Sequence, residues 1–194
     1  MDPIQWFVQA VDPVLIAPYR WVEDPAWGWW LGSLVLALWS TVLGELTLGV
    51  VYRLNGKQVR QVAGEMVSRH NLSLQALQAG DKQAYRALNK QANEAFGKSF
   101  FAGAALFSVS VWPVPFALAW LATRFDGVDV PIFPGHAVRY NAVFLGFYIL
   151  LRLAMWPLWQ KLPVLGRVER TRREMASRRA KLRPWTDLGK PDKA

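Results

Sequence analysis

From Ala26 to Gly44 no residue is charged; Glu45 interrupts, and the apolar run resumes through Tyr52. From Ser99 to Thr123 there is again no charge, and from Tyr140 to Gln160 the single charge is Arg152. About 20 apolar residues suffice to cross the ~30 Å hydrocarbon layer as a helix. The pattern therefore predicts three transmembrane helices, at 27–52, 99–122 and 140–160. Trp27, Trp29 and Trp30 open the first, Tyr52 closes it, and Trp156 and Trp159 close the third. Such rings favour the headgroup level, being apolar in body with one polar atom.

The segments between the spans differ in kind. Residues 1–26 alternate apolar side chains (Ile4, Trp6, Phe7, Val11, Leu15, Ile16, Tyr19) with polar ones, and Pro13 follows Asp12. This predicts a short amphipathic helix along the outer interface, broken near Pro13. Residues 53–98 are rich in helix formers and contain no Pro; Val59, Val62, Met66 and Val67 form an apolar stripe at helical spacing. Ala79-Gly80-Asp81 is a stop and restart, Gly80 closing one arm and Asp81 capping the next. Tyr85, Leu88, Ala92, Ala95 and Phe96 continue the second arm, so a helical hairpin is expected, with Asn71 and Ser73 as weak points in its first arm. Residues 123–139 form an outer loop and 161–194 a basic tail.

Charge changes the picture by giving direction. Segment 53–98 holds eight Lys/Arg against three acids, and 161–194 holds eleven against four. Residues 1–26 hold only Arg20 against Asp2, Asp12, Glu23 and Asp24. Basic segments stay in the cytoplasm, which places the N-terminus and the 123–139 loop outside, and the hairpin and tail inside. The net charge of +9 is then mainly a topology signal rather than a DNA-binding one. The 53% hydrophobic content and the absence of Cys exclude a disordered chain, a disulfide-rich module and any thiolate chemistry.

Polar groups inside the spans are the sharpest candidates, because a charge at membrane depth costs ~2.5–3.5 kcal/mol even on insertion scales. Glu45 lies eight positions before Arg53, and Arg152 nine positions before Lys161. At ~1.5 Å per residue both stand about 12–14 Å from the cytoplasmic end of parallel helices, so a Glu45–Arg152 pair is expected. Ser40, Thr41, Ser108 and Ser110 supply further polar groups. Pro113 and Pro115 must disturb the second span and free backbone carbonyls there, while Gly44 suits close helix approach. His70 and His136 fall on opposite sides of the membrane and cannot share a metal. No phosphate loop, metal-spaced acidic cluster or nucleophile–base arrangement is present, so no cofactor, metal or enzymatic reaction is expected.

The layout resembles the YidC-type membrane insertase superfamily, nearest its short three-span kind, over roughly residues 4–183. The resemblance is carried by the order of elements, by Gly44-Glu45-Leu46-Thr47-Leu48-Gly49-Val50-Val51-Tyr52-Arg53 at the span end, by the turn Ala79-Gly80-Asp81-Lys82, and by the second arm entering a Pro-containing span from Phe96 to Pro115. It implies a hydrophilic groove, open to the cytoplasm and the lipid, that helps client transmembrane segments insert without nucleotide hydrolysis. It also implies a hairpin that recruits clients and a basic tail that meets ribosomes. Members of the family carry an Arg in that groove, on the span before the hairpin; at the matching position this sequence has Glu45, and its intramembrane Arg is Arg152 on the third span.

The expectation is an all-α integral membrane protein of the inner membrane with three transmembrane helices, an N-terminal amphipathic helix and a cytoplasmic helical hairpin between the first two spans. Glu45, Arg152, Ser40, Thr41, Ser108 and Ser110 line the groove. Arg170, Arg172, Arg173, Arg178 and Arg179 meet anionic lipid or the ribosome. Lipids and client membrane proteins are its partners. The competing expectation is a non-catalytic scaffold or assembly factor bound to other membrane subunits.

Overall fold

The computed structural model describes residues 3–133, 136–155, 157 and 166–184. Helix α1 spans Pro3–Ile16 and continues into a 3-10 turn at Ala17–Arg20. Pro13 lies within α1, so the expected break there is corrected. A proline at that point withdraws one N–H, from the Gln9 carbonyl, and the helix tolerates the loss so close to its end.

Helix α2 runs from Pro25 to Gln78 as a single element of 54 residues. Asp24 starts it: its Oδ1 accepts the backbone N–H of Ala26 at 2.9 Å and of Trp27 at 3.1 Å, with Pro25 at the first helical position, where a missing donor costs nothing. Asn71 and Ser73 do not interrupt it; the Ser73 hydroxyl donates to the His70 carbonyl of its own helix at 2.8 Å. The end is a Schellman turn, with Gly80 N–H on Leu77 O and Asp81 N–H on Ala76 O, both at 3.1 Å. Gly80 adopts φ +74°, the left-handed region that a β-carbon penalises. Asp81 Oδ1 then accepts N–H groups of Gln83 and Ala84 and opens α3, Lys82–Val111. Trp112 interrupts, and α4 follows at Pro113–Phe125.

The expected outer loop holds a two-stranded antiparallel sheet. Strand β1, Asp129–Phe133, pairs with β2, His136–Arg139, Val130 lying opposite Val138 and the register slipping between Pro131 and Phe133. Helix α5 occupies Tyr140–Ala154 and α6 Gly166–Arg179. Among the described residues the architecture is thus helical apart from this one small sheet.

Two stretches, Pro25–Gln78 and Lys82–Phe125, contain windows long and apolar enough to cross a membrane. The apolar helix α5 has 15 residues, about 22 Å at 1.5 Å per residue; Trp156 and residues 158–160 of the expected third span lie outside the described residues.

The chain divides into two compact units, one formed by 1–47 with 109–161, the other by 48–108 with 162–194. The first has its core at Leu36, Ala37, Ala117, Trp120, Leu121, Phe144 and Tyr148, with Leu15, Ile16 and Tyr19 of the N-terminal segment packed on it. Asp12 holds that segment in place: its carboxylate accepts Trp120 Nε1–H at 3.0 Å and two N–H groups of Arg124. Burial pushes the Tyr19 phenol up to about 12, so it stays a neutral partner for Ser33 Oγ at 3.4 Å. Large apolar side chains also face outward from this unit, among them Leu43, Leu46, Phe116, Ile149, Leu150 and Leu153. A water-facing surface rarely carries so many.

In the second unit Met66, Val67 and Ala95 join the two arms, and Leu182 packs on them. Arg69 Nη1 donates to Gln91 Oε1 across the arms at 2.7 Å.

Candidate functional site

The buried face of α2 in the first unit carries a row of small side chains, Ser33, Ala37, Thr41 and Gly44, spaced three or four apart and therefore on one side of the helix. Small side chains let backbones come close. The closest approach is at Gly44, where a β-carbon would stand 2.1 Å from the Ser110 carbonyl oxygen. Glu45, next in sequence, is 4% exposed.

Ser110 is brought to this point by the end of α3. Pro113 and Pro115 cannot donate to the carbonyls of Val109 and Val111, which flank Ser110 at the helix end. Arg152 comes from α5. Its Nη2 lies 3.3 Å from Glu45 Oε1 and donates to Ser110 Oγ at 2.9 Å. Its Nη1 donates to Tyr148 Oη at 2.7 Å and reaches Ser110 O at 3.4 Å. The guanidinium also stands over the Tyr148 ring, 5.8 Å from the centroid, an added attraction from the ring quadrupole. The expected Glu45–Arg152 pair is therefore formed, with Ser110 as a third member and Tyr148 as a fourth.

The other expected lining residues are Ser40, Thr41 and Ser108. Ser40 Oγ and Thr41 Oγ1 donate back to Leu36 O and Ala37 O of their own helix at 2.9 and 2.8 Å, which satisfies buried hydroxyls locally. Ser108 is exposed and belongs to the second unit. Tyr148 was missed by sequence reasoning, though its position four residues before Arg152 was a usable signal, since i and i+4 side chains meet on a helix.

Chemically the cluster is a buried carboxylate joined to a guanidinium whose side chain keeps 27% of its exposure. It holds no nucleophile–base pair, and among the described residues no group of three His, Asp or Glu could hold a metal. It offers a polar face among apolar helices.

The tail does something the sequence did not announce. Arg60 Nη1 donates to the buried Thr171 Oγ1 at 3.2 Å, and Arg60 Nε lies 3.7 Å from Glu174, which seats α6 on the first arm. Arg170 and Arg173 are exposed; the side chains of Arg172, Arg178 and Arg179 lie outside the described residues. Val59 and Val62, expected to hold the arms together, line a cavity of about 310 Å³ with Tyr52, Ser99, Leu106 and Met175. No protein-family model, curated protein or solved structure matches the chain.

Proposed function

We propose that this chain is a three-span membrane protein of the insertase-like kind, with its N-terminus outside and a cytoplasmic helical hairpin, that helps client transmembrane segments insert without nucleotide. The observation that carries the reading is the Glu45–Arg152–Ser110 cluster. A charged group among apolar helices is costly unless paired or wetted, and here the guanidinium side chain remains 27% exposed. A partly exposed guanidinium beside a carboxylate can hydrate the polar end of a client and lower the barrier to its crossing. The outward-facing apolar side chains of α2, α4 and α5 support placing these helices in lipid. The excess of basic residues in 53–98 and 161–194 supports placing both in the cytoplasm of a bacterial-type inner membrane. The third span, 140–160, rests on the sequence together with the apolar α5.

The test is reconstitution in liposomes with a short single-span client whose N-terminus must cross. Insertion should exceed that of empty liposomes and fall in Arg152→Ala and in Glu45→Ala, each checked for helical content by circular dichroism. Insertion no better than empty liposomes, from folded protein, overturns the reading.

One observation favours a second reading, a scaffold or assembly subunit of a larger membrane complex. Arg152 already donates to Ser110 and Tyr148 while pairing with Glu45, which is how a lock between helices is built. A stable stoichiometric partner after gentle purification would favour this role.

A further inference from the structure

The short non-helical segment Lys181–Pro184 lies along the first arm of the second unit. The Asn71 side-chain amide holds its backbone from both sides. Asn71 Nδ2 donates to Lys181 O at 2.9 Å, and Asn71 Oδ1 accepts the N–H of Arg183 at 3.0 Å. The preceding residue adds a contact: His70 Nε2 is 3.2 Å from Arg183 O. Leu182, between the two bonded residues, puts its side chain onto Met66, Val67 and Ala95. A single amide that bonds the C=O of one residue and the N–H of the residue two further on treats the segment as an edge strand treats its neighbour. On the segment's side these bonds use backbone atoms, so they do not depend on which side chains those residues carry. The apolar side chain in the middle is read by the floor.

The depression does not end at Leu182. It continues as an open groove of about 650 Å³ lined by Met66, His70, Asn89, Asn93, Phe96 and Phe100 among others. Phe96 and Phe100 stack at 6.5 Å and are 59% and 60% exposed. A groove with this lining has room for more chain than the one leucine the tail supplies.

We propose that His70, Asn71 and the Met66–Val67–Ala95 floor form a binding site for extended peptide segments of other proteins, and that Lys181–Pro184 is its resident occupant. The ligand is a chain with an apolar side chain flanked by free backbone amides, and it binds by displacing the tail. This holds whether the chain acts as an insertase or as a scaffold, because it needs only that an unfolded segment be present near the arms. The cis occupant has the advantage of effective concentration, so the site is closed until a competitor arrives at high local concentration.

The probe is a fluorescein-labelled pentapeptide of the chain's own residues 180–184, followed by anisotropy on the full-length protein in detergent. Two tail substitutions open the site without altering its walls. Leu182→Ala removes the side chain from the floor, and Arg183→Pro removes the N–H that Asn71 accepts. The peptide should bind each of these variants at least tenfold more tightly than the wild type. Adding Asn71→Leu to either should abolish the gain, with helical content unchanged by circular dichroism. Failure of both opened variants to bind the peptide better than the wild type overturns the proposal, as does equal binding with and without Asn71→Leu.

Discussion

Gly44 and Ser110 meet backbone to backbone: a β-carbon on Gly44 would stand 2.1 Å from the Ser110 carbonyl oxygen. No side-chain rotation relieves such a contact, so Gly44→Ala must push the end of α3 away. Overpacking of this kind costs about 1–3 kcal/mol. It should also pull Ser110 from Arg152. A lowered midpoint in thermal unfolding of the detergent-solubilised protein, with no change for Gly103→Ala, where a β-carbon meets nothing within 4 Å, is the expected pair of results.

The Glu45–Arg152 pair should behave asymmetrically. Arg152→Met leaves a carboxylate that is 4% exposed without its cation, and breaking a buried pair from one side costs about 3–5 kcal/mol. Replacing both, as Glu45→Leu with Arg152→Met, removes the stranded charge and should recover most of that loss. A double-mutant cycle on unfolding midpoints measures the difference. Additive losses would mean that the two side chains act independently.

The N-terminal tie has a pH signature. The Arg124 guanidinium beside Asp12 holds its carboxyl below the ordinary value of 3.8, with Trp120 Nε1–H helping and partial burial opposing. A depressed folded-state value means the unfolded chain takes up the proton first. The tie therefore contributes fully above the unfolded value and is lost as pH falls through the folded one. Wild type should be more stable than Asp12→Asn at pH 7, and the gap should close below about pH 4. A gap that stays constant down to pH 2 would contradict this.

Hydrogen exchange should report the grip on the tail. The Arg183 amide donates to Asn71 Oδ1 at 3.0 Å and is slowed by it. Asn71→Leu should speed exchange at Arg183 while leaving the amides of the α2 interior unchanged. The Arg60–Glu174 pair, at 3.7 Å with Glu174 exposed, should matter less, with under about 1 kcal/mol lost in Glu174→Gln.

Gly80→Ala should cost about 1 kcal/mol, because φ is +74° and the penalty falls on the β-carbon rather than on any contact. Urea midpoints before and after the substitution measure it.

Much of this was legible in the sequence where one local rule decides the outcome. The Gly80-Asp81 turn follows from the conformational freedom of one residue and the capping group of the next. The Glu45–Arg152 pair follows from equal depth and from the cost of leaving either charge alone. Gly44 was legible as a place for close approach, though not as the neighbour of Ser110. What stayed hidden needed tertiary context. Pro13 was expected to break α1, yet a proline that near a helix end removes a bond the helix can spare. The strands at 129–139 were masked by Pro131 and the Pro134-Gly135 step, which weaken any strand reading. The docking of Lys181–Pro184 depends on backbone atoms and one leucine in a basic tail, a signal with no period to detect.

The partners of the first unit are also far apart in time. Asp12 precedes Arg124 by 112 residues, and Glu45 precedes Arg152 by 107 (152 − 45). At synthesis rates of about 5–20 residues per second, each carboxylate is added to the chain roughly 5–20 s before its cation. For that interval the newborn α1 and α2 carry these acids without the cations that pair with them in the folded chain. The order of translation therefore makes α4 complete the electrostatics of α1 and α5 that of α2, and a ribosome stalled before Arg152 leaves α2 made but not yet locked.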